Sequence, residues 1–225
     1  MIRHVFERAA LCRYLSKVVV ATEDSRIFDT VQSFGGNCVL TGAHHPSGTD
    51  RLAEAVDILG LAQDDIIVNI QGDEPLLDPA MIEVLVEAIL SQPPCEMATL
   101  AYSSSSEQEF VDPNVVKVVV DRNAEALYFS RAPIPFHRGE PVRSFLKHLG
   151  FYAYSRRSLA RFAALPEGKL EKIEKLEQLR ALENGFSIRV ALSPVDSVAV
   201  DTPGDLSKTA ELMSARQRAS SSESL

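Results

Sequence analysis

The chain has 225 residues, 45% of them apolar, and a formal net charge of −8. That is enough apolar material for one large α/β domain or two small ones with a buried core, and the acidic balance works against general nucleic-acid binding, which needs a basic footprint. No run approaches the roughly 18 uninterrupted apolar residues of a membrane span, and His4, Glu7 and Arg8 stand where a signal peptide would be apolar, so the reading is a cytoplasmic protein without membrane insertion.

IRHVFERAALCRYL puts Ile2, Val5, Phe6, Ala9 and Leu11 on helical spacing and reads as an amphipathic helix from almost the first residue. KVVVAT (17–22) reads as a fully buried strand. Asp24 is a suitable cap for a helix over about 25–34 that Gly35-Gly36 ends, and NCVLT (37–41) is the next strand. A helix over about 50–59, the strand DIIVNI and the helix PAMIEVLVEAIL continue the alternation, the last with Asp78 as cap and Pro79 at its first position. Strands separated by helices of this length predict a parallel sheet covered on both faces. After Pro93-Pro94 the texture changes. MATLAY, VVKVVVD and KHLGFYAYS are strand-like, and a mixed sheet or inserted lobe over about 95–160 fits them. LEKIEKLEQLRALENG (170–185) predicts one strong helix ended by Gly185, and SIRVAL (187–192) a strand. The organisation is a single domain over 1–215 followed by a disordered tail at 216–225.

The three cysteines, Cys12, Cys38 and Cys95, lack the spacing of a disulfide framework or zinc site. An acidic enzyme acting on anionic substrates must then concentrate positive charge locally or borrow it from a metal. VNIQGDEPLL directs attention to the end of a strand, where open α/β sheets bind ligands. Because Asp78 caps the following helix, Asp73 and Glu74 are left without that duty. In SVAVDTPGDL, Thr202, Pro203 and Asp205 make a capping arrangement of their own, which releases Asp201. Two such carboxylates can hold a hard divalent cation such as Mg²⁺, with water and phosphate filling its other positions. In HHPSGTDRLAEAV, Ser47 and Gly48 open a helix with Arg51 in its first turn, either an anion-facing terminus or an ordinary cap. Arg131, within LYFSRAPIPF, stands among aromatic and proline residues, where it can grip a carboxylate or serve a structural acid. KHLGFYAY places Lys147, Leu149, Phe151 and Ala153 on one face and His148, Gly150, Tyr152 and Tyr154 on the other, the second polar enough for a hydroxyl-rich ligand.

Seven blocks, HPSGTDRLAE, VNIQGDEP, DPNVVKVV, YFSRAPIP, KHLGFYAY, EKLEQLRALENG and VAVDTPGDL, occur in an order that resembles the 3-deoxy-manno-octulosonate (Kdo) cytidylyltransferase family over residues 1–206. The resemblance implies a Rossmann-like, GT-A-like nucleotidyltransferase fold with a mixed, mostly parallel sheet, a homodimer, and Mg²⁺ dependence. It also implies transfer of CMP from CTP to Kdo for lipopolysaccharide synthesis. By the same resemblance, Asp73 and Asp201 are the metal carboxylates and the catalytic centre. Ser47, Gly48, Arg51, Gln71 and Gly72 belong to the nucleotide pocket, and Arg131, His148, Tyr152, Glu174 and Gln178 to the sugar site. Related sugars, 8-amino-Kdo or a sialic-acid relative, are alternatives, as is a non-catalytic remnant that binds or dimerises. The family opens with a strand and a basic glycine-containing loop resembling IPARYxSxRLPGKPL, and MIRHVFERA matches the segment after it. Without that strand, the expectation is unpaired ladder edges and uncovered apolar surface in the sheet. The protein would then be either longer and active, or truncated with weak or absent activity.

Overall fold

In the computed structural model, which describes residues 1–45, 47–139, 144–197, 199, 200, 202, 204–207 and 209–213, the longest strand organises the main sheet. β7 (Phe145–Ser155) pairs antiparallel along its length with β4 (Met97–Ser104), whose other edge runs parallel to β8 (Ile188–Leu192). Two short strands divide the opposite edge of β7. β3 (Ile66–Asn69) takes residues 152–155, and β5 (Lys117–Val120), backed by β6 (Ala126–Ser130), takes residues 146–147. A separate parallel pair, β1 (Val20–Thr22) with β2 (Cys38–Leu40), forms a second small sheet.

Strand alternation sends side chains into two cores. Ala98 and Leu100 of β4 with Leu149, Phe151 and Ala153 of β7 meet α1 (Ile2–Ala9) and α4 (Pro79–Leu90) on one face. Met97, Ala101 and Tyr154 meet α3 (Gly48–Ile58), α6 (Arg156–Ala163) and α8 (Gln178–Glu183) on the other. The helix starts follow their sequence signals. Asp24 accepts from Arg26 N at 2.8 Å at the head of α2 (Ser25–Ser33), and Asp78 accepts from Ala80 N at 3.0 Å ahead of Pro79. Gly35, at φ +76°, supplies the left-handed turn that ends α2. α1 stops at Ala9, and the chain leaves it through turns closed by Leu11 N to Arg8 O and Cys12 N to Ala9 O.

Two expectations are corrected. The fully buried strand over 17–22 is instead the short β1, in which only Thr22 is buried. Among the described residues β1 has one neighbour, β2, and its other edge faces a cavity of about 570 Å³ whose far wall is β3. Among the described residues, no strand lies between the ladder edges on the two sides of this gap. The single helix over 170–185 is two helices, α7 (Lys169–Glu174) and α8, broken at Lys175 with φ +53°. At the break Arg131 takes the carbonyls of Glu174 (2.7 Å) and Lys175 (3.4 Å), so tertiary contacts replace the helical bonds those groups would make. The expected tail at 216–225 lies outside the described residues.

Candidate active site at the end of β3

β3 runs into the turn that carries Gln71, Gly72, Asp73 and Glu74. The Asp73 carbonyl accepts from Val200 N at 3.0 Å, and Gln71 Nε2 donates to Gly150 O of β7 at 3.4 Å. The Asp73 side chain is half-buried and has no hydrogen bond or ion pair among the described residues, which fits the freedom the capping argument assigns it. Asp201 lies outside the described residues, while Thr202 and Asp205 make the expected reciprocal cap, Thr202 N to Asp205 Oδ2 at 2.9 Å and Asp205 N to Thr202 Oγ1 at 3.2 Å. Glu74 has a structural post. It is buried and accepts from Ser197 Oγ, tying this turn to the segment before residue 200. Burial raises its pKa; the Ser197 hydrogen bond opposes that rise and the neighbouring Asp73 charge adds to it.

Of the five nucleotide-pocket residues, Gly48, Arg51, Gln71 and Gly72 line one cavity. Arg51 is ion-paired with Glu23, and its Nε is buried without a hydrogen-bond partner. Ser47 lies just outside that lining and serves as the cap of α3, accepting from Asp50 N at 3.2 Å and donating to Asp50 Oδ2 at 2.7 Å.

A row of aromatic and polar side chains starts beside the same end of β3, because Asn69 pairs in register with Tyr152. The Tyr152 ring is 6.0 Å from Tyr154 and 5.6 Å from His148, which packs edge-on against Phe129 at 4.9 Å. Burial pushes the His148 pKa down to about 3, so the imidazole is neutral. Thr99 Oγ1 donates its one proton to Phe151 O at 2.8 Å. The 3.0 Å contact with His148 Nε2 is then a donation from the ring, and Nδ1 is the bare acceptor. The buried Tyr152 hydroxyl lies near Thr99 but makes no well-formed hydrogen bond, and Gln178 Nε2 is likewise buried and unpaired. Buried polar atoms without partners are costly in an apolar setting, and donors of this kind suit a ligand rich in hydroxyls.

Arg131 and Glu174 are differently employed. The guanidinium donates to Glu174 O, Lys175 O and Pro113 O, and the Glu174 carboxylate accepts from Ser130 Oγ at 2.7 Å and Arg131 N at 2.9 Å. Arg131 here forms a clamp between the end of β6 and the α7–α8 break. Lys117, fully buried, reinforces it by donating to Asp112 O (2.9 Å), Val115 O (2.6 Å) and Arg131 O (2.7 Å). Sequence reasoning missed Glu177 and Thr49. Thr49 Oγ1 donates to Glu177 Oε2 at 2.7 Å, while Glu177 Oε1 is buried without a hydrogen bond, 3.5 Å from Arg180. The EKLEQLR run hides this carboxylate in what reads as a solvated helical face.

Over residues 1–189 the sequence matches the family described as cytidylyltransferase. It is 61% identical over 208 residues to a 3-deoxy-manno-octulosonate cytidylyltransferase of Syntrophobacter fumaroxidans, covering 92% of this chain and 83% of that one. It is 55% identical over 207 residues to an 8-amino-3,8-dideoxy-manno-octulosonate cytidylyltransferase of Shewanella amazonensis, covering 92% of this chain and 84% of the relative. A solved structure of a CMP:2-keto-3-deoxy-manno-octonic acid synthetase complexed with CTP superposes with a TM-score of 0.89 at 41% identity, over 96% of this chain and 88% of that one. The mixed α/β nucleotidyltransferase fold read from the sequence is thereby established, and the chain is an enzyme of the cytidylyltransferase family.

Proposed function

We propose that the protein transfers CMP from CTP to the anomeric hydroxyl of Kdo, releasing pyrophosphate and supplying lipopolysaccharide synthesis. The observation that carries this reading is the 61% identity to a Kdo cytidylyltransferase across nearly the whole chain. The buried, unpaired hydroxyl of Tyr152, in register with Asn69 at the end of β3, supports it. In this reading Asp73 and Asp201 hold Mg²⁺. The free, half-buried carboxylate of Asp73 is the hard oxygen donor that ion requires. When bound, Mg²⁺ neutralises phosphate charge and acidifies the attacking hydroxyl. Gly48, Arg51, Gln71 and Gly72 line the nucleotide end. Tyr152 and Gln178 donate to sugar hydroxyls, and His148 Nδ1 accepts from one. The protein's part is alignment in a partly dry site, with no covalent intermediate. The same reading makes it a cytoplasmic homodimer, and Phe136, 84% exposed in the lobe over 95–160, offers an apolar contact for the second subunit.

The test is product identification by mass spectrometry with CTP, Mg²⁺ and either Kdo or 8-amino-Kdo, alongside pyrophosphate release. CMP-Kdo as the favoured product supports the proposal. Preference for the amino sugar, which the 55% identical relative keeps in view, moves the assignment to that substrate. A folded chain that turns over neither sugar refutes it.

A further inference from the structure

The chain that leaves β8 is tied down at successive points on its way to the candidate site. Ser193 N donates to Ala101 O of β4 at 2.8 Å, and Val200 N donates to Asp73 O at 3.0 Å. Between them, Asp196 Oδ2 accepts from Lys147 Nζ of β7 at 3.0 Å, Asp196 Oδ1 accepts from Ser197 N at 2.9 Å, and Ser197 Oγ donates to the Glu74 carboxylate. Lys147 supplies the charged donor in this series. Its side chain is only 15% exposed and also donates to Glu109 Oε1 of α5 (Glu107–Val111) at 2.8 Å, while Glu109 Oε2 accepts from Ser104 Oγ at the end of β4 at 2.6 Å. The lysine is thus anchored to the sheet and α5 on one side and grips the chain after β8 on the other. Charge explains why a cation belongs here. Glu74, whose pKa is raised first by its own burial, feels the charges of Asp73 and Asp196 pushing it further up and that of Lys147 pulling it down. Burial alone lowers the Lys147 pKa, but Glu109 and Asp196 outweigh it, so the group stays an ammonium. Carboxylates gathered in this way repel one another, and Lys147 offsets that repulsion from the side of β7 opposite His148.

We propose that Lys147 is a positioning residue for the metal carboxylates: by gripping Asp196 it holds the chain between β8 and Val200 against the turn after β3, which limits how far Asp201, the next residue along, can stray from Asp73 before any cation binds. The inference rests on the assignment of Asp73 and Asp201 to Mg²⁺ and adds to it a residue that touches neither the ion nor the substrate. Outer partners of this kind orient the ligands, so less of the binding energy goes into gathering them.

The experiment titrates Mn²⁺ and CTP into the full chain, with protein-bound Mn²⁺ read by water-proton relaxation enhancement, and follows amide hydrogen exchange at Val200 by NMR in the metal-free protein. Lys147→Met weakens Mn²⁺ binding by about tenfold or more and speeds exchange at Val200 by about tenfold, while the amides of β4 and the rest of β7 keep their protection. Asp196→Asn removes the charge that Lys147 grips and leaves the Lys147–Glu109 pair intact; it acts in the same direction and serves where Lys147→Met does not fold. Lys147→Arg, whose fork can span both carboxylates, keeps Mn²⁺ binding within about threefold of the wild type. Faster exchange throughout the sheet with Mn²⁺ affinity unchanged would make Lys147 a stabilising residue only and overturns the proposal, as does unaltered exchange at Val200. Asp73→Asn is the control for the metal assignment. Mn²⁺ that the wild type does not bind, or that Asp73→Asn binds equally well, refutes that assignment and the role of Lys147 with it; binding lost in Asp73→Asn but retained in Lys147→Met and Asp196→Asn refutes the role of Lys147 alone.

Discussion

Replacing Tyr152 by Phe separates a ligand-facing hydroxyl from a structural one. In the free protein this hydroxyl is buried with no well-formed partner. Its removal sheds a desolvated group without breaking a hydrogen bond, so the fold should be unchanged or stabilised by up to about 1 kcal/mol. For a chain of this size that is a rise of at most about 2–4 °C in Tm. Against the sugar, the loss of one neutral hydrogen bond is about 0.5–1.5 kcal/mol, or about 2- to 13-fold in kcat/KM. The assay pairs a thermal melt without ligand with kcat/KM for the sugar at saturating CTP. Gln178→Leu, which deletes the other buried, unpaired donor of the proposed sugar site, should behave alike. A variant that loses more than about 1 kcal/mol of stability would show that the nearby Thr99 is a true partner of the hydroxyl. Unchanged kcat/KM would show that the row does not touch the sugar.

Asp73→Asn should lower pyrophosphate release by about 100-fold or more and leave the melt unaltered, since the carboxylate has no partner among the described residues; retained turnover would remove it from the metal site. Lys117→Met leaves three backbone carbonyls without their donor and should cost about 2–4 kcal/mol in urea unfolding. Arg180→Met strips the two-pronged partner from Glu171, whose bonds are 2.8 and 2.6 Å, and should cost about 3–5 kcal/mol at pH 7. Burial alone raises the Glu171 pKa, but the Arg180 fork outweighs it and holds the carboxyl below its ordinary 4.5. That contribution is present above 4.5 and lost as pH falls through the folded value, so the gap between wild type and variant should narrow in acid. A gap independent of pH would refute the assignment.

Most of the fold was legible because its signals are local. Asp24, Ser47 and Asp78 cap the helices they precede, and DIIVNI, MATLAY, VVKVVVD, KHLGFYAYS and SIRVAL mark β3, β4, β5, β7 and β8, whereas β6 lies in a stretch that reads only as aromatic and proline-rich. The burial of β1 was not legible, since KVVVAT says what the strand contains and nothing about how many neighbours it meets. The site divides the same way. Asp73 stood out because a nearby residue had already taken the capping role, which is a statement about ten consecutive positions. Arg131 stood out for its apolar surroundings, yet what it holds are backbone carbonyls, one of them 43 residues away at Glu174, and no spacing rule reports that.

The helix expected over 170–185 shows why such a local misreading matters for the site. LEKIEKLEQLRALENG has the charge pattern of a continuous exposed helix, and on its own would satisfy internally every carbonyl but those of its last turn. Arg131 and Lys175 interrupt it, and the chain restarts as α8 with Glu177 and Gln178 at its head. There Glu177 reaches Thr49 across 128 residues of sequence, joining the start of α3, where Gly48 and Arg51 line the nucleotide end, to the row that begins at Tyr152. A break that costs local helical bonds therefore connects the two halves of the candidate site, and the Lys117–Arg131–Glu174 clamp is the structure that holds the break open.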